Sequence, residues 1–412
     1  MKIYLVGGAV RDSLLNLPIK DRDWVVVGAT KQMLLEKNFQ PVGKDFPVFL
    51  HPETHEEYAL ARKERKSGKG YTGFYTDSNS SVTLEDDLIR RDLTMNAIAE
   101  DQDGNHIDPF KGKKDIQCRL IRHVSEAFIE DPLRVLRTAR FAASLIHLGF
   151  QIAKETMELM SIVVRKKELL YLTANRIWNE TEKAFKTYNP HVYFQVLYSC
   201  KALQLFFPKM YFFYERDIFL KNNLLKKICN KDNILMGLAK ISNFEKNVDI
   251  RFAYLCQFLS INQLFFFPSK IFYDTNSVSI VQSLCKSFHI PSSIRDIAVL
   301  NTGFYIFLKT IQSQSSKNIV RLFYKIDAWR KPDRIKKLAF LNDFNFLNQI
   351  STKLISFKSG CFLKKCFSIV KNVSIQLILD KGFKGNEIKD ELMRIRIKKL
   401  QLWRLKNFKS HI

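Results

Sequence analysis

Leu5-Val6-Gly7-Gly8-Ala9-Val10-Arg11-Asp12, followed shortly by Asp21-Arg22-Asp23-Trp24-Val25-Val26-Val27, is the stretch whose reading decides the fold. A short apolar run that stops at two glycines and then turns amphipathic reads as a strand opening a helix. Free backbone N–H groups at such a helix start, and glycines that let an anion come close to the chain, suit a phosphate. Arg11 lies one turn further on, where a guanidinium can fork onto phosphate oxygens. Asp21 and Asp23 are read as opening the next apolar strand at i, i+2, both carboxylates on one face and about 6.6 Å apart. Two hard oxygen ligands at that spacing suit Mg²⁺ ions that carry a nucleoside triphosphate. Alone, a Gly-Gly is usually a turn and an Asp-x-Asp a solvated strand end; it is their conjunction that points to phosphoryl-transfer chemistry.

Working outward, β-rich runs at residues 3–6, 24–27, 48–50 and 58–61 alternate with turn chemistry and helical patterns, whereas from Val124 onward only helical spacing remains. The expectation is an α/β head with a mixed sheet over residues 1–122, a helical neck over 123–210 and an all-α body and tail over 211–412. Glu57, at the head of the 58–61 run, is either a third carboxylate for the site or an exposed acid beside Glu56.

Two further clusters bear on chemistry. Adjacent Arg90 and Arg91 precede Asp92-Leu93-Thr94-Met95-Asn96-Ala97 and read either as a triphosphate grip or as helix surface charge. Glu130-Asp131-Pro132-Leu133-Arg134-Val135-Leu136-Arg137-Thr138-Ala139-Arg140 reads as a helix start with Pro where its missing N–H costs nothing. Its polar stripe, Asp131, Arg134, Arg137 and Arg140 at intervals of three, winds around the axis and can touch a bound molecule at several points. An Asp beside an Arg can read a base edge: the carboxylate accepts from the exocyclic amine of cytosine or adenine while the guanidinium donates to a ring acceptor. Guanine and uracil present a carbonyl there instead. The competing reading is a basic helix face with a capping acid.

The 412 residues carry 66 Lys and Arg against 41 Asp and Glu, a net charge of +25, with 46% hydrophobic residues. That apolar content excludes a disordered basic tail. Residues 1–200 are nearly balanced, 29 basic against 27 acidic, which leaves 37 against 14 in the second half. The surplus therefore belongs to the second half and implies a polyanionic partner. No apolar window approaches the roughly 20 residues a spanning helix needs. The N-terminus lacks a secretory pattern, and seven scattered cysteines without a C-x-x-C argue against a disulfide framework or a cysteine zinc site. A cytoplasmic protein with no membrane partner is expected.

In order and spacing, LVGGAVRD (5–12), DRDW (21–24), RRDLTMNAIA (90–99) and EDPLRVLRTARFAA (130–143) resemble the class II CCA-adding enzymes, bacterial tRNA nucleotidyltransferases of the polymerase β superfamily. The likeness is dense over residues 1–200 and thins to patches at 326–332 and 382–385. It implies addition of C, C and A to the 3′ end of tRNA from CTP and ATP without a nucleic-acid template. It also implies that Gly8, Arg11 and Arg91 bind nucleotide, that Asp21 and Asp23 hold catalytic Mg²⁺, and that Asp131, Arg134, Arg137 and Arg140 form the base-reading and triphosphate-holding helix. A poly(A) polymerase of the same superfamily and a non-catalytic tRNA-binding protein are the alternatives; a monomer is the expectation.

Gly68-Lys69-Gly70-Tyr71-Thr72-Gly73 matches G-x-G-x-x-G but follows a charged run and opens no apolar helix, so it reads as a flexible basic loop. His51, His55 and Glu56 read as surface residues. Some relatives carry a histidine-aspartate phosphohydrolase domain. Here residues 201–410 contain only His289, and Cys256-Gln257 stand where the His-Asp pair would be, so that activity is expected to be absent. Robust nickel-stimulated hydrolysis of 2′,3′-cyclic AMP would overturn this. The basic amphipathic segment 391–406 suits tRNA backbone better than a membrane.

Overall fold

A computed structural model of the chain describes residues 1–42, 48–66, 74–208, 231–260, 272–344 and 359–407. The 68–73 loop lies outside them. The chain divides into two compact units, Met1–Phe212 and Phe213–Ile412.

In the first unit, β1 (Lys2–Val6), α1 (Gly8–Leu14), β2 (Asp23–Val27), α2 (Lys31–Glu36), β3 (Gln40–Val42), β4 (Val48–Leu50), β5 (Glu57–Leu60), β6 (Lys63–Lys66), β7 (Phe74–Asp77), α3 (Leu84–Ile89), β8 (Ala99–Glu100) and β9 (His106–Ile107) follow in order. Seven strands form one mixed sheet in the order β3-β4-β5-β2-β1-β8-β9, and β6 and β7 pair separately. The apolar run of β2 does not alternate because both of its faces are covered. Val25 packs with Val6 and Leu88 on one side, and Val26 packs with Leu34, Phe49 and Leu60 on the other.

Register brings the two opening motifs together. β1 runs antiparallel to β2 with Val6 opposite Asp23, and β2 runs parallel to β5 with Asp23 opposite Glu57. The Gly7-Gly8 turn, Asp23 and Glu57 therefore share one edge of the sheet. β2 begins at Asp23, so Asp21 lies two residues ahead of the strand, and the two aspartates are not the i, i+2 pair within it that the sequence suggested. The sequence also passed over β3, β6, β7, β8 and β9. These are two to four residues long, and β6 is Lys-Glu-Arg-Lys, with no apolar alternation to betray it.

After α4 (Gly112–Gln117), a 3₁₀ turn at Glu126–Glu130 leads through an extended Asp131 into α5 (Leu133–Leu145), with Pro132 at its cap. α6 (Lys154–Arg165), α7 (Ala174–Phe185) and α8 (Pro190–Ser199) follow, and α5 packs on α7 and α8.

The described part of the second unit is helical, with helices Val248–Cys256, Ser292–Gly303, Ser316–Lys325, Asp333–Asp343 and Ser359–Lys371 among its elements. A core around Phe304, Phe307, Leu322, Phe323, Leu338 and Leu363 holds it. Cys256 and Gln257 are also buried in this unit. Asp249 pairs with Lys337 at 2.8 Å. The C-terminal helix spans Asn386–Asn407. Its basic residues are only partly a solvated face: Arg396 is buried, its guanidinium 4.1 Å from the Trp329 ring, and Arg404 donates to the Gln312 and Gln314 carbonyls.

Candidate active site

A cleft of about 700 Å³ opens in the first unit, and all nine residues singled out in the sequence line it: Gly8, Arg11, Asp21, Asp23, Arg91, Asp131, Arg134, Arg137 and Arg140. Eight basic side chains face five carboxylates around its wall. That excess of positive charge suits a polyanion.

Of the two glycines, Gly7 is the one the backbone demands. Its φ is +74°, and a Cβ there would lie 3.2 Å from Arg91 Nη1; at Gly8 the nearest contact would be an ordinary 3.6 Å. α1 is only seven residues long, so the arginines rather than the helix end dominate the positive wall.

Each arginine is fixed from behind. Arg11 donates to Asn96 Oδ1 at 2.7 Å and to Asp12 at 2.9 Å. Asn96 in turn donates to Asp92 at 3.0 Å, and Arg137 Nε donates to the other Asp92 oxygen at 2.7 Å. Burial alone would raise the Asp92 carboxyl, but Arg137, Asn96 and Arg134 outweigh it and hold the pKa well below the usual carboxylate range. The Asp92 charge likewise pushes Arg137 above its ordinary value. Arg140 Nε donates to buried Glu180 at 2.5 Å. Arg91 pairs with buried Asp87 at 3.0 Å, and its Nε has no hydrogen-bond partner. Arg90 is taken up by Asp87, Glu64 and the Arg62 carbonyl. Of the adjacent pair, then, Arg90 ties the wall together, while Arg91 is held by Asp87 and lines the cleft.

The suggested base readers are both engaged. Asp131, just before the Pro132 cap, accepts from the Leu133 N–H at 3.0 Å and pairs with Arg176 at 3.1 Å. Arg134 is buried and donates to the carbonyls of Ala127 and Arg90.

Asp21 and Asp23 border this cleft and also a smaller cavity of about 600 Å³ that includes Glu57. Asp23 is exposed, yet desolvation by its surroundings raises its pKa; Arg91 opposes this, Asp21 adds to it, and Arg137 opposes it. A divalent cation would relieve that repulsion, so the pair fits a metal. Among the described residues no group of three or more His, Cys, Asp and Glu could hold one alone; water and substrate phosphate oxygens would complete the shell. His51 and His55 join no such group.

Sequence reading passed over Asp92, Asn96, Phe141, Arg176, Glu180 and Lys183. The first three stand inside quoted motifs. The last three fall at i, i+4 and i+7 on α7, a spacing that marks one face but names no partner.

Comparison with known proteins places the chain in a family. Residues 3–122 match the family model described as the poly A polymerase head domain, and residues 149–213 match one described as a probable RNA and SrmB-binding site of polymerase A. The chain is 73% identical over 409 residues to a CCA-adding enzyme of Buchnera aphidicola subsp. Acyrthosiphon pisum (strain Tuc7), covering 99% of both chains. The chain belongs to the class II CCA-adding enzymes. Its likeness to the Buchnera aphidicola subsp. Schizaphis graminum CCA-adding enzyme is 64% over 407 residues, covering 98% of both. A solved apo CCA-adding enzyme superposes with a TM-score of 0.66 at 22% identity, over 97% of this chain and 88% of that one. A CCA-adding enzyme solved with CTP gives 0.63 at 22%, over 100% and 92%. At that identity these two speak for the fold: a mixed-sheet head with a predominantly helical remainder. Among the described residues no helix is long and apolar enough to cross a membrane.

Proposed function

We propose that this CCA-adding enzyme transfers C, C and A in turn from CTP and ATP to the 3′-hydroxyl of tRNA, releasing pyrophosphate and using no nucleic-acid template. The convergence of Asp21, Asp23 and the arginine wall on one cleft carries the reading. Asp21 and Asp23 hold Mg²⁺, which when bound lowers the pKa of the attacking hydroxyl and offsets charge on the leaving group. Gly7 and Gly8 let the triphosphate approach the backbone, and Arg11, Arg91, Arg137 and Arg140 grip it. No side chain acts as base. Asp131 and Arg134 read the base edge by exchanging their present partners, Arg176 and two carbonyls, for cytosine or adenine. Glu57, opposite Asp23 in the sheet and beside both aspartates in the smaller cavity, is either a third carboxylate for the site or an exposed acid, and Glu57→Gln separates the two by its effect on incorporation. We retain the division into head (1–122), neck (123–210) and body with tail (211–412), the last gripping tRNA backbone.

Incubating the protein with tRNA that lacks its 3′ CCA, plus CTP and ATP, should add three nucleotides and stop. A long A tract without use of CTP would instead mean a poly(A) polymerase, whose head domain this one resembles. Asp21→Ala and Asp23→Ala should each abolish incorporation while sparing tRNA binding; unchanged incorporation refutes the metal assignment.

A further inference from the structure

Three of the cleft's guanidinium groups, brought in from two helices, gather around a single aromatic ring. The Cζ of Arg140 lies 4.0 Å from the Phe141 ring centroid, that of Arg11 5.0 Å and that of Arg137 5.8 Å. All are within the range at which a cation is attracted by the ring quadrupole. Phe141 is only 7% exposed and lines the cleft. Without a nucleotide, three like charges this close repel one another. Asp12, Asp92 and Glu180 hold each guanidinium at its Nε, and all three guanidiniums approach the same ring.

We propose that Phe141 is a positioning residue for nucleotide binding: its π face holds Arg11, Arg137 and Arg140 converged before the triphosphate arrives, so that little ordering remains to be done on binding. The effect belongs to ground-state nucleotide affinity and applies to CTP and ATP alike, because the ring acts on the phosphate grip and not on the base. The inference rests on the reading of these arginines as triphosphate ligands.

Fluorination offers a near-isosteric test, since each fluorine weakens the ring quadrupole while leaving shape almost unchanged. Full-length protein with mono-, di- and trifluorinated phenylalanine at position 141 should show a graded rise in KM for both CTP and ATP, reaching roughly three- to tenfold, with kcat nearly constant and Tm unchanged. Phe141→Trp should retain affinity and Phe141→Leu should lose it. A flat fluorination series overturns the proposal, as does a fall in kcat and Tm that tracks side-chain volume alone. Arg137→Ala and Arg140→Ala separate the two layers of the argument. If they raise KM while fluorination does nothing, only the role of the ring fails. If they leave KM unchanged, the triphosphate reading fails and the proposal with it.

Discussion

Asp92 shows how a residue can govern this site from beneath it. Its buried carboxylate joins Arg137 directly and Arg11 through Asn96, so one charge orders two arms of the cleft. Asp92→Asn keeps the shape but removes the charge. We expect nucleotide KM to rise about tenfold and stability to fall by about 1–3 kcal/mol, less than for a fully buried pair because the Arg137 side chain is 35% exposed. Because the native pKa of Asp92 lies below the unfolded one, its contribution is fully present above the ordinary aspartate range and is lost progressively as pH falls from that range to the depressed value. The stability gap between wild type and Asp92→Asn should thus be constant from pH 5 to 7 and narrow below about pH 4; denaturant unfolding measured across that interval checks it. Asp92 stood in a run already quoted for Arg90 and Arg91, yet nothing local marked it. A carboxylate four residues before an asparagine becomes a support only when α1 and α5 bring Arg11 and Arg137 to it.

At the scale of elements, legibility followed burial. β1 and β2 were readable because consecutive buried residues demand an apolar run, β4 and β5 because one buried face carries Phe49, Tyr58 and Leu60, and the head of α5 because proline and acid mark a helix start. The β6–β7 hairpin and α7's part in the site were not. α7 reads as an ordinary amphipathic helix, and its partners Asp131 and Arg140 lie some 40 residues earlier in the chain. Yet its one face secures the neck: Arg176 holds Asp131, Glu180 holds Arg140, and Lys183 reaches the cleft. Glu180→Gln should weaken binding of CTP and ATP equally, by roughly tenfold, since it loosens a phosphate grip through loss of a charge-assisted hydrogen bond. Arg176→Ala should instead alter choice: with Asp131 untethered, incorporation of UTP and GTP relative to CTP and ATP should rise several-fold. Steady-state kinetics with all four nucleotides tell these apart, and a uniform loss for all four after Arg176→Ala would reduce α7 to a scaffold.

For the whole molecule, the charge surplus divides into two populations with separable tasks. The cleft's cations are pinned by Asp87, Asp92 and Glu180 and line the proposed nucleotide cleft. In the second unit several basic groups are spent on structure, with Arg334 on Asp296, Arg396 on Tyr324 and Trp329, and Arg404 on two carbonyls. Others are exposed, among them Lys364, Lys365, Lys398 and Lys399. Composition gave the sign and location of the surplus, but which charges remain for a partner depended on packing it does not encode. If these lysines meet tRNA phosphates, each contact releases condensed counterions, and log Kd should rise with log salt at a slope of about 0.7–0.9 per contact. Replacing all four with Ala should lower that slope by roughly three while leaving the KM for CTP unchanged, because the nucleotide is held by a different set of cations. Filter-binding titrations of tRNA between about 50 and 200 mM salt measure the slope. A quadruple variant with an unaltered slope would place the RNA-binding surface elsewhere on the chain, whereas a raised KM for CTP would mean that the two charge populations serve one site.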